Sequence, residues 1–355
     1  MKIETTKLQE LVSKATKGVS NNKLIPITSL IGIRVKDGNI ILETTDATNY
    51  LYVKDVIDSD HFDVVVDADV FSKLVSRMTS EFITLNILNN VLEVIGDGKY
   101  KIELPLDENG QYIKYPDPLS EFGDFENAQT VDLAVIKSML SSLKPSLATT
   151  LEDPQYTAYY VGDTVLATDT LQIAELKKSI FKTPVLLTRE YVDLLDVFNS
   201  EKISVCIKGD SVVFSDDKNC VFGKLFSGIE DFNVAGIASV LDISMPSMCK
   251  FSKTALLNVL NRLALFVRPY DKNGISLVFT PNGLQISSKS DSSVELIPYK
   301  ESNNYKEYSC MIDIEMLLTQ IKTNSTDVIE INYGNDSCIT LTDGDIRHVI
   351  ALLIE

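Results

Sequence analysis

Histidine is nearly absent from this chain: only His61 and His348 occur, 287 positions apart. A metal centre or a Ser-His-Asp arrangement needs a histidine with partners close by, and neither has an obvious set. Cysteine is scarce as well. Cys206, Cys220, Cys249, Cys310 and Cys338 form no CxxC spacing and are odd in number. They read as reduced thiols in or near strands, not as a disulfide framework or a zinc site. No window approaches the roughly 18 unbroken apolar residues of a membrane span. The start, Met1-Lys2-Ile3-Glu4-Thr5-Thr6, has no apolar signal core, so the expected location is the cytoplasm. Positive charge is in deficit too: 33 Lys and Arg against 50 Asp and Glu leave a net charge of −17. Such a surface repels a phosphate backbone on average, so any contact with nucleic acid needs the scarce bases gathered on one face.

Repetition is what the sequence has in abundance. An apolar run ends in a helix-capping residue with an acid two places later at Val66-Asp67-Ala68-Asp69-Val70, Leu187-Thr188-Arg189-Glu190-Tyr191 and Ile312-Asp313-Ile314-Glu315-Met316. The caps lie 121 and 125 residues apart. Each predicts an amphipathic helix of about three turns, followed by alternating strands around a polar turn, Asn89-Asn90, Gly209-Asp210 or Gly334-Asn335. With 355 residues, 45% hydrophobic and 23% charged, the chain is an ordinary globular composition divided into three units, each able to bury its own core. A chain of repeated domain-sized units makes an extended or closed surface more often than a single pocket.

The periodicities predict the same order three times. In the first unit a helix covers 6–18, strands 29–35, 39–43, 50–56 and 62–66, then the second helix and strands 82–88, 91–96 and 99–104. The middle unit has a helix over 133–143, strands 156–161, 164–168 and 172–177, a helix over 189–199, and strands 202–208, 211–215 and 220–226. In the last, helices over 253–266 and 314–322 alternate with strands 274–280, 283–288, 293–299, 328–333, 337–342 and 347–354. Hairpin signals such as Asp37-Gly38 and Gly162-Asp163 make the sheets antiparallel, so the fold class is α+β. Linkers are expected at 109–125 and 235–246, giving domains over 1–122, 123–243 and 244–355.

The bases concentrate in the first helix of each unit. Residues 5–18 carry Lys7, Lys14 and Lys17 against Glu10; residues 132–148 carry Lys137 and Lys144 against Asp132; residues 253–268 carry Lys253, Arg262 and Arg268 and no acid. Lys73 and Arg77 add to the second helix of the first unit and Lys322 to that of the third, while the middle unit's equivalent is acidic. One such helix would simply complement its own dipole. Three in so acidic a chain point to a shared basic face that touches phosphates without reading bases. Paired acids at Asp67/Asp69, Asp216/Asp217 and Asp343/Asp345 could suggest metal-assisted hydrolysis. Their positions at a helix cap and in hairpin turns account for them without catalysis, so no enzyme, metal or cofactor is expected.

Short motifs along the whole chain resemble the bacterial sliding clamp family, the beta subunit of DNA polymerase III. Met1-Lys2-Ile3 with the Leu8, Leu11 and Val12 helix is similar to the family's start, and Ile25-Pro26-Ile27 to its Leu-Pro-Ile segment. Ala167-Thr168-Asp169-Thr170-Leu171-Gln172-Ile173-Ala174 resembles its Ala-Thr-Asp-Gly-His-Arg-Leu-Ala signature, and Gly223-Lys224-Leu225-Phe226-Ser227-Gly228 with Glu230-Asp231-Phe232 the close of its second domain. The resemblance implies a head-to-tail homodimer whose six domains close a ring around double-stranded DNA, helices lining the hole and sheets outside. Such a ring is a processivity factor for DNA polymerase, placed on DNA by a clamp loader. The basic helix faces, with Lys23 standing next to Asn22 where the family has arginine, give the expected DNA-facing positions: Lys7, Lys14, Lys17, Lys23, Lys73, Arg77, Lys137, Lys144, Arg262 and Lys322. It also implies a dimer interface of Tyr100 and Ile102 against the partner's Leu265 and Phe266. Polymerase and other proteins with clamp-binding motifs would insert a peptide at Tyr156, Thr168, Thr170, Ile173, Val234, Ala235, Ile339, Val349, Ala351, Leu352 and Leu353. The sequence departs from the family at Asn22 (arginine), Thr170 (glycine), Leu171-Gln172 (His-Arg), Glu230 (proline), Val234 (arginine) and in the tail Ala351-Leu352-Leu353-Ile354-Glu355. The other reading is an acidic three-domain adaptor that binds proteins and never encircles DNA.

Overall fold

The computed structural model describes the chain except for Asn21, Lys23, residues 124–127, 269–272 and 289–292, and Glu355. A strand, helix, four strands, helix, three strands order recurs. The first pass is β1 (Lys2–Glu4), α1 (Thr5–Ala15), β2 (Leu30–Lys36), β3 (Asn39–Thr45), β4 (Tyr50–Val56), β5 (Phe62–Asp67), α2 (Ala68–Ser76), β6 (Phe82–Leu88), β7 (Val91–Ile95) and β8 (Lys99–Glu103). After a short α3 (Pro118–Phe122) come β9 (Gln129–Asp132), α4 (Leu133–Ser138), β10 (Ala158–Val161), β11 (Val165–Thr168), β12 (Gln172–Leu176), β13 (Val185–Thr188), α5 (Arg189–Leu194), β14 (Lys202–Lys208), β15 (Ser211–Ser215) and β16 (Asn219–Lys224). Then α6 (Val234–Leu241) leads to β17 (Ser247–Ser252), α7 (Lys253–Leu263), β18 (Gly274–Thr280), β19 (Gly283–Ser288) and β20 (Val294–Ile297). An added β21 (Glu301–Asn303) precedes β22 (Tyr308–Asp313), α8 (Ile314–Thr323), β23 (Val328–Tyr333), β24 (Cys338–Asp343) and β25 (Ile346–Ala351).

Local chemistry sets these elements. α1 buries Leu8, Leu11, Val12 and Ala15, the i, i+3, i+4, i+7 stripe of an amphipathic helix. Its end sits so close to β3 that a Cβ on Gly18 would stand 2.3 Å from Thr44 Oγ1, which itself donates to the Ala15 carbonyl at 2.7 Å. Asp67 caps α2 by accepting from Val70 N at 2.8 Å, and Asp313 caps α8 by accepting from Glu315 N and Met316 N at 2.7 and 3.2 Å.

The chain forms two compact units. Unit 1 is Met1–Ile136 with Glu190–Leu225; unit 2 is Lys137–Arg189 with Phe226–Glu355. Unit 1 holds a sheet in the order β1-β6-β7-β8 and a larger one, β5-β2-β3-β4-β16-β15-β14-β9. Unit 2 holds β13-β10-β11-β12-β25-β24-β23-β17-β21 and β20-β19-β18-β22. All pairings are antiparallel, as in the α+β reading. Each large sheet is joined by equivalent strands: the third of the four strands in one repeat pairs with the last strand of the next. In unit 1, β4 meets β16 with Tyr50 opposite Phe222 and Val53 opposite Asn219. In unit 2, β12 meets β25 with Ile173 opposite Val349 and Leu176 opposite Ile346. The remaining strands of those two types, β20 and β8, end their sheets with one side unpaired among the described residues.

Two sequence expectations need correction. Residues 235–246 are no bare linker, because α6 occupies most of them; Asn233 caps it by accepting from Gly236 N at 2.9 Å, and Ile237 and Leu241 face inward. The short strands β1, β9 and β17 directly precede first helices, where no separate strands were expected.

Candidate functional site

On one face of unit 2's large sheet, Tyr156, Ile173, Val234 and Val349 of the expected peptide site share a cluster with Phe232, Ile237, Leu241 and Cys338. The Phe232 ring stacks on Tyr160 at 5.3 Å and meets the Tyr156 ring edge-on at 5.2 Å. Ala235 is exposed on α6, and Ala351 N donates to the Leu171 carbonyl at 2.9 Å, which ties the last strand to the cleft's rim. That rim is a tightly bonded loop. Thr168 Oγ1 donates to Gln172 O at 2.8 Å and accepts from Thr170 N at 3.0 Å. Asp169 accepts from Leu171 N, Gln172 N and Gln172 Nε2 at 2.8–2.9 Å. Thr168 is buried with its hydroxyl engaged in the loop. Exposed Thr170 keeps a left-handed φ of 78°, where a β-branched residue is strained.

Ile339 does not line this cleft. It is 0% exposed in the other core of unit 2, and Leu352 packs against the same core. Side chains alternate across a strand, so Cys338 and Val349 face the cleft while Ile339, Ile350 and Leu352 face away. Leu353 is half-buried, and its N donates to the Met311 carbonyl at 2.9 Å, joining it to β22. Phe232, Tyr160 and Ile237 were missed as cleft residues. The signal was present: an Asn cap followed by Val234, Ile237 and Leu241 at helical spacing.

Buried polar groups lie near the cleft. Gln320 of α8, fully buried, donates through Nε2 to Ser146 Oγ at 2.9 Å and Gln172 Oε1 at 2.7 Å. His348 is buried with neither ring nitrogen hydrogen-bonded among the described residues, and burial pulls its pKa down to about 4 against the opposing pull of Asp343. In unit 1 the buried Glu43 carboxyl is pushed up to about 7 by burial, partly offset by Arg34. Arg34 bridges Glu43 at 3.2 Å to Asp117 at 3.3 Å, and Asp117 caps α3.

The expected DNA-facing bases divide into two kinds. Lys7 pairs with Asp55 at 3.5 Å, Lys17 with Asp196 and Arg262 with Glu295 through direct hydrogen bonds, and Lys73 with Asp69 one turn away at 2.7 Å. Lys14, Arg77 and Lys322 form no ion pair among the described residues. Lys137 and Lys144 lie on α4 and just after its continuing turn, Met139–Leu143. Lys23 lies outside the described residues. Pairing cancels much of the long-range attraction of the first group, so fewer bases than expected offer free charge to phosphates.

Of the expected dimer contacts, Tyr100 is 42% exposed on edge strand β8, and Leu265 and Phe266 are 80% and 55% exposed. Ile102, two residues along the same strand, is buried at 6% exposed. The acid pairs considered for hydrolysis serve structure. Asp67 is a cap, Asp216 accepts from Lys218 N and Asn219 N, Asp343 accepts from Ser325, and Asp69 and Asp345 pair with lysines. No cluster of three or more metal-binding side chains occurs among the described residues, and none of their helices is long and apolar enough to cross a membrane.

The fold these elements make is that of the bacterial DNA polymerase sliding clamps. The chain aligns over its full length with the DNA polymerase sliding clamp of Bacillus subtilis (18% identity, TM-score 0.84, 98% of that chain). It aligns equally fully with the polymerase beta subunit of Streptococcus pyogenes (15%, 0.86, 99%) and the DNA polymerase III beta subunit of Thermotoga maritima (17%, 0.83, 99%). No curated protein matches by sequence. Residues 1–116 match the family described as DNA polymerase III beta subunit, N-terminal domain.

Proposed function

We propose that the chain is a non-catalytic processivity factor for DNA replication: a homodimeric ring of six domains, three per chain over 1–122, 123–243 and 244–355, encircling duplex DNA. The observation that carries this is the pair of unmatched edges. Two of the three strands of each type are joined inside the chain, β4 to β16 and β12 to β25, leaving β8 and β20. A second copy supplies the missing junction twice, once at each end, by head-to-tail (heterologous) closure of a two-membered ring. The edges suit it. β20 exposes Val294 and Leu296, the turn after α7 exposes Leu265 and Phe266, and β8 exposes Tyr100 with Lys99 and Lys101. Exposed apolar edge strands are covered in stable proteins.

Inside such a ring, the unpaired Lys14, Arg77 and Lys322 would give loose, salt-sensitive contacts with phosphates, suited to sliding. The unit 2 cleft would anchor an apolar peptide from DNA polymerase or another clamp-binding partner, and a clamp loader would open the closing junctions. The cytoplasm is the fitting compartment. Mass in solution tests closure: a dimer near twice 39.4 kDa is expected. Retention on nicked circular DNA, lost when the circle is cut, tests encirclement. The ion pairing of Lys7, Lys17, Lys73 and Arg262 favours the adaptor reading, and equal binding to circular and linear DNA would establish it.

A further inference from the structure

The two units repeat one loop, and in unit 2 a helix holds it from behind. In unit 1, Thr45 Oγ1 donates to Asn49 O at 2.6 Å and accepts from Ala47 N at 2.9 Å. Asp46 accepts from Thr48 N, Asn49 N and Asn49 Nδ2 at 2.7–2.9 Å. These are the bonds of the 168–172 loop, residue for residue, and Ala47 stands at φ 86° as Thr170 does at 78°. The loops join equivalent strands, β3 to β4 in unit 1 and β11 to β12 in unit 2.

The difference lies in the last loop residue. Gln172 is a methylene longer than Asn49. Its Nε2 donates to Asp169 Oδ2 at 2.8 Å and to the Pro145 carbonyl at 3.2 Å, and its Oε1 accepts from Gln320 Nε2 of α8 at 2.7 Å. The Asn49 Oδ1 has no hydrogen-bond partner among the described residues. The helices differ to match. Counted from the repeated cap positions 67, 188 and 313, the equivalent residues are Leu74, Leu195 and Gln320. Gln320 lies on the stripe of α8 that buries Ile314, Leu317, Leu318 and Ile321, where an amide is costly unless it is bonded. Its Nε2 also donates to Ser146 Oγ at 2.9 Å, while its Oε1 has no partner among the described residues. What it supplies that leucine lacks is a donor aimed at the loop. The direction of the relay is fixed, because the Asp169 carboxylate and the Pro145 carbonyl only accept. The Gln172 NH2 must face them, and its oxygen must face α8.

We propose that Gln320 and Gln172 are positioning residues of the unit 2 cleft: the amide pair ties the 168–172 rim to α8 and presets it for an incoming peptide. The rim presents exposed Thr170 and Leu171 beside the cleft, and a rim already ordered lowers the entropy lost on binding. The inference rests on the reading of the cleft as a peptide site and adds what holds its edge in place.

The test is residue-resolved hydrogen exchange on the full chain, with the unit 1 loop as internal control. After correction for intrinsic rates, the amides of Thr170, Leu171 and Gln172 are expected to exchange at least about tenfold more slowly than those of Ala47, Thr48 and Asn49. Gln172→Asn keeps the bond to Asp169 and recreates the unit 1 arrangement. It and Gln320→Leu should each bring the two sets level while the unit 1 set stays unmoved. The segment over the cleft, 226–245, holds Glu230, Asp231 and Asp242 and no base, so the binding probe carries no acid. Fluorescein-labelled Ser-Gly-Leu-Phe-Gly-Ser should bind both variants at least about fivefold more weakly than the wild type. Tyr156→Ala should weaken binding without moving the rim amides. Leu256→Ala, in the fully buried core of unit 2, should lower the melting temperature and leave both rim exchange and peptide affinity as in the wild type. Equal exchange of the two loops in the wild type, rim amides indifferent to both glutamine variants, or unchanged affinity with a loosened rim overturns the proposal. Rim loosening in Leu256→Ala would reduce the effect to general stability and overturn it too. No peptide binding to the wild type at about 1 mM strikes the cleft reading, and the exchange comparison still decides the tether.

Discussion

The loop at Thr168 in unit 2 and the loop at Thr45 in unit 1 make the same hydrogen bonds, yet stand beside opposite chemistry. Both need only a threonine, an aspartate and an amide side chain, and in both the central residue is left-handed. The residues facing out of the sheet are free of that requirement. Unit 2 has Ile173 and Val349 under an acidic segment, and unit 1 has Tyr50 and Phe222 beside two lysines. The comparison teaches that the two units repeat backbone bonding and register while the side chains on that face of the sheet differ. A motif that resembles a functional signature is, at its core, the device that turns one strand into the next.

The strongest way to pull the units apart is pH. Glu43 in unit 1 has its folded pKa raised to about 7 from 4.5, so the folded state holds the proton more tightly. Its contribution is complete below about pH 4.5 and is lost as pH rises through 7. His348 in unit 2 is lowered to about 4 from 6.5, so its contribution is present above about pH 6.5 and is lost as pH falls through 4. Each is worth up to about 3 kcal/mol across its window. Thermal melts from pH 4 to 8 should show Glu43→Gln flattening the alkaline loss and His348→Leu flattening the acid loss. Parallel profiles for both variants would erase the contrast.

Next in size is Gly223→Ala in unit 1. A Cβ there would lie 2.3 Å from Tyr191 Cδ2 and 2.5 Å from Asn49 Oδ1, both buried, so a cost of about 1–3 kcal/mol in denaturant unfolding is expected. Thr170→Gly should act in the other direction. Relieving a β-branched residue at φ 78° should stabilise unit 2 by about 1 kcal/mol, more than Ala47→Gly stabilises unit 1, because alanine is less strained there. Equal gains would mean the loops are not held alike. The smallest effect is electrostatic: Asp196→Ala frees Lys17 and should strengthen low-salt binding to a DNA duplex by a factor of about 2–3, vanishing near 0.3 M salt.

Much of this was legible in the sequence because it was local. The caps at Asp67 and Asp313, the α1 stripe and hairpins such as Asp37-Gly38 announce themselves within a few residues. Tyr156, Ile173, Val234 and Val349 could be placed by motif, and the structure gathers them in one cluster. What failed depended on partners distant in sequence. β1, β9 and β17 lie flush against helices and take their strand character from pairing with β6, β14 and β23. Ile339 and Ile102 needed the orientation of a strand and its position over the core, which composition does not reveal. α6 was hidden in a segment read as a connection, although its cap and spacing were visible.

The free edges also bear on the order of synthesis. β8 is complete once residue 103 has been made, while β20 is complete only at residue 297. A growing chain therefore carries an open strand edge through most of its translation. Charged side chains on β8, Lys99, Lys101 and Glu103, are the kind that keep such an edge from pairing with the wrong neighbour. On β20, which appears late, the exposed residues include Val294 and Leu296. The strand edge completed first carries the charges, and the one completed late carries the apolar side chains.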